Sequence, residues 1–284
     1  MNTDTSNNHP SFSFEFFPPK TDKMADQLWS AVPELARSNP SFMTVTYGAC
    51  GSTREGTLDT IARMKAETNA PIAMHLTYIN TPIEEMNAFA DEIWALGIKH
   101  IVALRGDMPD DLQWPLDTDI EYFQYTSDFV EGLLARHPFE ISVGAYPEKH
   151  PDAPSLDADL IALKKKCDAG ATRAITQFFF DNDIFYEFVD QARKMGITTP
   201  IIPGLLPIHD FKSMKNFSAR CNTTIPSWLD EKFDGLDDNP EDAYKVAQDI
   251  LNAQVDCLKQ NKVPHIHFYT LNKARLTVEA SQRL

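Results

Sequence analysis

Short runs rich in β-branched and aromatic residues recur along this chain at nearly regular intervals. That repeat limits the fold more than any other feature. The runs fall at 11–16, 42–47, 71–76, 100–104, 141–146, 174–178, 200–204 and 265–269, mostly about 30 residues apart. Between them lie segments of helical period. In 81–96, Ile83, Met86, Ala90, Ile93 and Trp94 share one face. The segment 155–170 carries good end signals: Ser155 as N-cap, Asp157 and Asp159 in the first turn, Lys164 to Lys166 in the last, and Gly170 at the C-terminus. The interval from Gly204 to His265 is long enough for two helices. Strands alternating with crossover helices imply a parallel sheet. Eight such units predict a single-domain α/β fold, a closed (β/α)8 TIM barrel over 11–284, with an open doubly wound sheet as the alternative. No GxGxxG follows a strand and no GxxxxGK[ST] occurs, which argues against a Rossmann or P-loop nucleotide site.

Composition narrows the function. The chain has 284 residues, of which 43% are hydrophobic and 24% charged. It is long enough to bury a large core without staples. Its formal net charge of −15 would repel a phosphate backbone or an anionic membrane, so no nucleic-acid or membrane partner is expected and a phosphate-bearing ligand needs a local basic pocket. Cys50, Cys167, Cys221 and Cys257 are too far apart for a CxxC motif. Reduced thiols in a cytoplasmic protein are expected. Residues 1–10 are polar, lack an apolar signal core and are expected to be disordered. No apolar run is long enough for a transmembrane helix.

Strand parity suggests what faces the barrel interior. In the first strand Phe12, Phe14 and Phe16 share one side and belong against the helices, leaving Ser13 and Glu15 to point inward. By the same reading Ala73 and His75, then Ala103, Arg105 and Asp107, then Ser142, Gly144 and Tyr146, and finally His267 and Tyr269 point inward. The inward face is then small early in each strand and polar at its end, leaving room for a flat ligand. Barrel ligands bind at the C-terminal ends of strands. Those ends supply Glu15, Thr46, Tyr47, His75, Arg105, Asp107, Tyr146, His150, Gln177 and Tyr269. Glu15, among phenylalanines and prolines, is expected to have a raised pKa that suits general acid work; a structural ion pair is the alternative. Asp107 follows Arg105 and Gly106 at a strand end, a weak signal in isolation. Asp159, Ala162 and Lys166 share a helical face able to present a carboxylate and an ammonium to a ribose-pyrophosphate group, although a lysine run is also an ordinary solvated helix end. His265 and His267 have no carboxylate nearby in sequence, so no metal site is expected.

The segments SFEFFPPKT (13–21), TVTYGA (44–49), HIVALRGDMP (100–109), ISVGAYPEKHP (141–151), AITQFFFD (174–181), IIPGLLPI (201–208) and HFYTLNKA (267–274) together resemble methylenetetrahydrofolate reductase of the short bacterial type. The resemblance spans nearly the whole chain and implies a (β/α)8 barrel carrying FAD. It implies reduction of 5,10-methylenetetrahydrofolate to 5-methyltetrahydrofolate with NADH or NADPH, by ping-pong hydride transfer through the flavin, supplying methyl groups for methionine synthesis. It casts Glu15 as the general acid and Asp107 as a carboxylate beside flavin and pterin. Thr46, Tyr47, Ala49, His75, Arg105, Gly106, Tyr146, His150, Asp159, Lys165 and Lys166 match FAD-contacting positions, with Tyr125 and Thr126 along the cofactor. Gln177, Phe217, Tyr269 and Lys273 match folate or nicotinamide positions. Three departures stand out: Lys273 replaces an Arg, Ser213 a Gln near the substrate, and Ala162 a polar residue. A homo-oligomer is implied by the resemblance only; the regulatory domain of the longer eukaryotic members is expected to be absent, because the barrel takes up the 284 residues. The alternatives are another flavin-dependent barrel acting on an imine, a pterin-binding methyltransferase barrel, or a cofactor-free partner subunit.

Overall fold

In the computed structural model, which describes residues 9–47, 53–108 and 121–284, eight parallel strands close into a barrel in sequential order. The strands are β1 (Ser11–Phe16), β2 (Phe42–Val45), β3 (Ile72–Thr77), β4 (His100–Leu104), β5 (Glu140–Ala145), β6 (Arg173–Phe178), β7 (Ile201–Leu205) and β8 (His265–Tyr269). The helices between them are α1 (Asp22–Ala36), α2 (Arg54–Glu67), α3 (Ile83–Ala95), α4 (Thr126–Arg136), α5 (Leu156–Asp168) and α6 (Asn182–Lys194). The (β/α)8 barrel expected from the repeat is the observed fold. Residues 1–8 of the segment expected to be disordered lie outside the described residues. The end signals of 155–170 act as read: Ser155 Oγ accepts from the Ala158 N–H at 3.1 Å, and Gly170 leaves α5 at φ +114°.

The interval before β8 holds three helices rather than two: α7 (Phe211–Cys221), α8 (Ser227–Phe233) and α9 (Pro240–Gln260). The helix α8 spans 7 residues, too few for a helical period to show in sequence. The helix α10 (Arg275–Ser281) follows β8 and packs on α9. Among the described residues no helix is long and apolar enough to cross a membrane.

Barrel closure fixes which side chains look inward, because residues paired side by side share a face. Ser13 pairs with Phe42 and His267, and Glu15 with Thr44 and Tyr269. Phe14 and Phe16 are fully buried with the helices, as parity predicted. For β4 the parity reading is corrected. Ala73 pairs with His100 and His75 with Val102, so His100 and Val102 point inward while Ala103 joins the outer core. The run HIVAL gives no alternation to read, because a strand of a parallel barrel is buried on both faces. The interior also differs from the expectation of small residues early in each strand. Below the small layer of Ser13, Ala73 and Ser142 sits a bulky one of Phe42, His100, Arg173 and His265. There Phe42 stacks on His265 at 5.4 Å and meets the edge of His100 at 4.7 Å.

Near the top of the barrel, Gly204 makes room for Tyr269. A Cβ there would lie 2.3 Å from the Thr176 carbonyl oxygen and 2.6 Å from the Tyr269 ring. Gly204→Ala is therefore expected to destabilise the protein by about 1–3 kcal/mol through overpacking, measured as a lower urea midpoint. An unchanged midpoint would mean that the ring has another place to go.

Candidate active site

Glu15, the penultimate residue of β1, lies inside the barrel. Its Oε2 lies 3.2 Å from His75 Nε2 and 3.6 Å from His267 Nε2. His75 Nε2 also lies 3.3 Å from Thr44 Oγ1. His267 is fully buried, and its Nε2 has no hydrogen-bond partner; the Glu15 carboxylate is just beyond reach. Its other ring nitrogen, Nδ1, lies 2.7 Å from Ser13 Oγ. The phenylalanines around Glu15 in sequence point away from it, so its setting is polar. Burial is the largest single influence and pushes its pKa up, but the closeness of His75 first, and of His267, outweighs it and brings the carboxyl down to about 2. The sequence expectation of a raised pKa is thus reversed for the free protein.

Around this carboxylate, the strand ends gather the positions matched to cofactor contacts. Thr46 and Tyr47 follow β2; Thr46 is buried and the Tyr47 ring packs on Phe89 at 5.9 Å. Ala49 lies outside the described residues. Arg105 follows β4 and donates to Asp152 Oδ2 at 2.7 Å, so its partner is Asp152 rather than nearby Asp107. Gly106 adopts φ +99°, and a Cβ there would meet Ile79 at 2.7 Å. Asp107 is exposed beside it, and its charge acts on Tyr146 and Cys221. The Tyr146 hydroxyl is pushed up to about 12, by burial first and then by the Asp159 charge. Its ring meets His150 edge-on at 4.5 Å.

The face of α5 divides. Asp159 is buried and accepts from the His150 N–H at 2.8 Å. Lys166 turns inward and donates from Nζ to the Gly144 carbonyl at 2.5 Å; burial pushes its pKa down. Lys165 and Ala162 are exposed, so the structure brings together only the first and last members of the predicted face. Thr126 opens α4 and hydrogen-bonds the hydroxyl of buried Tyr78, while Tyr125 before it is largely exposed.

The positions matched to substrate contacts lie on and after β6 and β8 and on α7. Gln177 sits where the β6–β7 register shifts between Ile175 and Phe178, an irregularity that re-aims a side chain. Its Oε1 accepts from the Phe178 N–H at 3.0 Å. Phe217 on α7 stacks on Phe178 at 5.3 Å. Tyr269 donates its hydroxyl to the Thr176 carbonyl at 2.6 Å, and burial raises its pKa well above the ordinary value. Ser213 and Lys273 are exposed at the rim. Burial first, and then the Lys273 charge, lowers the pKa of His209, while hydrogen bonds from Ser213 first, and then the Lys273 charge, lower that of Asp210, the N-cap of α7. Sequence reasoning passed over Thr44, Asp152 and the Ser13–His267 pairing. Ser13 and His267 were legible by parity as inward groups, but their contact needed the β1–β8 register.

The fold and this arrangement define a (β/α)8 barrel with an inward carboxylate among histidines and paired basic and acidic groups at the strand ends. Comparison then gives the family. A family model described as methylenetetrahydrofolate reductase matches residues 1–284. The 5,10-methylenetetrahydrofolate reductases of Pectobacterium carotovorum and Escherichia coli K12 are each 44% identical over 265 residues, covering 93% of this chain and 87% of theirs. Methylenetetrahydrofolate reductase (NADH) 1 of Zea mays is 36% identical over 92% of this chain and 46% of its own. Among solved structures, an uncharacterised protein from Clostridium thermocellum that binds two copies of 5-methyl-5,6,7,8-tetrahydrofolic acid has a similar fold, with TM-score 0.63 at 14% identity over 96% of this chain and 93% of that one. The chain belongs to the methylenetetrahydrofolate reductase family.

The buried histidines make a pH test of this interior. Burial lowers His100 and His265 to about 3, so the native state keeps them neutral where the unfolded chain protonates them near pH 6.5. The unfolded state then binds more protons, and stability falls as pH drops from about 6.5 toward 3. The depressed Glu15 adds a loss between about 4.5 and 2. Urea midpoints are expected to decline steadily below pH 6.5. A flat profile down to pH 4 would show that these rings titrate normally.

Proposed function

We propose that this chain reduces 5,10-methylenetetrahydrofolate to 5-methyltetrahydrofolate, with FAD as its bound cofactor and NADH or NADPH as reductant. The carrying observation is Glu15, placed inside the barrel against His75 and His267, in a chain matched along its length to the reductase family. The residues present fit a flavin dinucleotide. Lys166 and Arg105 bring cationic donors to the ends of β4 and β5 within an acidic protein, and Tyr146, His150 and Tyr47 supply rings beside them. Gly106 keeps backbone accessible where a side chain would clash. Flavin supplies hydride-transfer chemistry when bound.

The protein's own residues handle the proton and the geometry. Opening the five-membered ring of methylenetetrahydrofolate breaks the bond from its bridging carbon to one nitrogen, and that nitrogen needs a proton. Glu15 supplies it and is left as the carboxylate that its histidine neighbours stabilise. The other nitrogen becomes an iminium, which the exposed Asp107 carboxylate stabilises. Gln177, Phe217 and Tyr269 orient the ring system, and Lys273 meets the anionic tail of the folate. The two substrates alternate at one site, which gives ping-pong kinetics.

The visible spectrum tests this reading. Purified protein loaded with FAD is expected to show flavin bands that NADH or NADPH bleaches and methylenetetrahydrofolate restores. A protein that takes up no flavin would overturn it. Glu15→Gln is expected to leave bleaching within about twofold of normal and to slow restoration by 10²-fold or more. Normal restoration in that variant would remove Glu15 from the role of acid.

A further inference from the structure

Tyr146, His150 and Asp152 share the loop between β5 and α5. That loop is closed on itself. The Lys149 N–H donates to the Tyr146 carbonyl at 3.2 Å, and the Ala153 N–H to the His150 carbonyl at 3.0 Å. The Asp152 N–H donates to His150 Nδ1 at 3.0 Å, which fixes the ring. Between the two turns Lys149 adopts φ +86°, in the left-handed region that a side chain of this size rarely enters. Its own ammonium holds it there: Nζ donates to the carbonyls of Ala153 at 2.6 Å, His150 at 3.2 Å and Pro151 at 3.4 Å. Backbone strain of this kind persists only where the surroundings over-determine it, and it gathers at functional sites.

The reversal at Lys149 gives its two neighbours different partners. His150 stays with the Tyr146 ring. Glu148 reaches the segment after α7, where its two carboxylate oxygens accept from the Thr224 N–H at 3.1 and 3.0 Å. That segment is the exit of α7, which ends on Asn222 at φ +55°. Thr223 anchors it to β6, its Oγ1 donating to the Phe178 carbonyl at 3.3 Å. Glu148 lines a narrow crevice together with Tyr146, Gln177, Phe178 and Cys221. The crevice thus joins a position matched to the cofactor, a position matched to the substrates and the last residue of α7. A carboxylate near a helix C-terminus opposes the helix dipole, so α7 gains nothing electrostatically from this neighbour. What the contact fixes is where α7 sits.

We infer that Glu148 is a positioning residue, which ties the loop carrying Tyr146 and His150 to α7 and so holds Phe217 at a fixed separation from that loop. The inference rests on the function proposed above, in which the loop meets the flavin and Phe217 packs on the substrates. A flat ligand held against an aromatic ring needs a gap of set width, because dispersion contacts weaken steeply over a fraction of an ångström. Phe217 is placed from one side by its stack on Phe178. Glu148 places its helix from the other. Reductant and folate would occupy the gap in turn, so a single contact acts on both half-reactions. Glu148 takes no part in the proton chemistry of Glu15. Its loss therefore changes how well either substrate is held rather than how fast the bound one reacts.

Two variants test the tie. Glu148→Ala removes the acceptor, while Glu148→Gln keeps an oxygen for the Thr224 N–H and removes the charge. The first readout needs no ligand. In 15N-labelled protein the Thr224 amide is expected to exchange with water roughly tenfold faster in Glu148→Ala, and at close to the wild-type rate in Glu148→Gln. The second uses the two half-reactions of FAD-loaded protein in stopped flow. In Glu148→Ala the reductant concentration for half-maximal bleaching, and the methylenetetrahydrofolate concentration for half-maximal restoration, are each expected to rise roughly tenfold. Limiting rates and the dissociation constant for FAD are expected to stay within about twofold, and Glu148→Gln to restore both half-saturation values. A role in loop stability alone would instead weaken FAD binding and leave half-saturation unchanged in the loaded protein. That pattern, unchanged Thr224 exchange, or equal losses in the two variants would overturn the assignment. A raised value for the reductant in a flavoprotein that methylenetetrahydrofolate never reoxidises would support it while removing the folate reaction proposed above.

Discussion

The inward file of the closed barrel governs everything else in this molecule. Eight parallel strands in sequential order leave no freedom over which residues face the interior, because each side-by-side pair shares a face. Here that interior is unusually polar. Ser13, Glu15, Thr44, His75, His100, Ser142, Arg173, His265 and His267 all enter it. A buried polar group left unpaired costs about 1–3 kcal/mol, so the interior is held by mutual hydrogen bonding. Serines and histidines suit this task, since a hydroxyl and a neutral imidazole each donate and accept at once. His100 with Ser142 at 2.7 Å and His265 with Ser13 at 2.8 Å repeat the same device on different strands.

That polar interior sets the electrostatics of the site above it. Glu15 is a carboxylate in the free protein because histidines, not phenylalanines, surround it. A group in that state becomes an acid only when a proton is delivered or its surroundings change on ligand binding. The same local logic answers the overall charge of −15. A strongly acidic protein is compatible with an anionic ligand when cations such as Arg105 and Lys166 are gathered locally at the strand ends. The Asp152 contact and the Gly144 carbonyl hold these two cations in place.

The strand repeat was legible because each β-rich run is separated from the next by a helix with clear end signals, such as Ser155 on α5. Parity was legible in β1, where three phenylalanines mark one face, and failed in β4, where the four residues after His100 are all apolar. The residues of the site were legible as chemistry at strand ends, and family resemblance assigned them roles. Their state was not. The charge on Glu15 depends on His267, more than 250 positions away in sequence, and only the β1–β8 register brings them together. The division of α5, with Asp159 and Lys166 inward and Lys165 outward, depends on how the helix is rotated against β5, which periodicity alone leaves open by a residue.

The two faces of each strand divide the work of the fold. Outward residues such as Phe14, Phe16, Met43, Val45, Met74 and Leu76 are fully buried against the helices and carry the apolar stabilisation. Each such side chain contributes about 1.5–3 kcal/mol when removed from water, whereas a paired polar group inside contributes about 1 kcal/mol net. Stability is therefore concentrated in the shell between sheet and helices. The interior is left free to hold groups chosen for proton affinity and hydrogen-bond direction, at the expense of the aliphatic layers that usually fill such barrels. A barrel stabilised from outside tolerates hydrogen-bonded serines and histidines through its middle, such as Ser11, His265, Ser13 and His267.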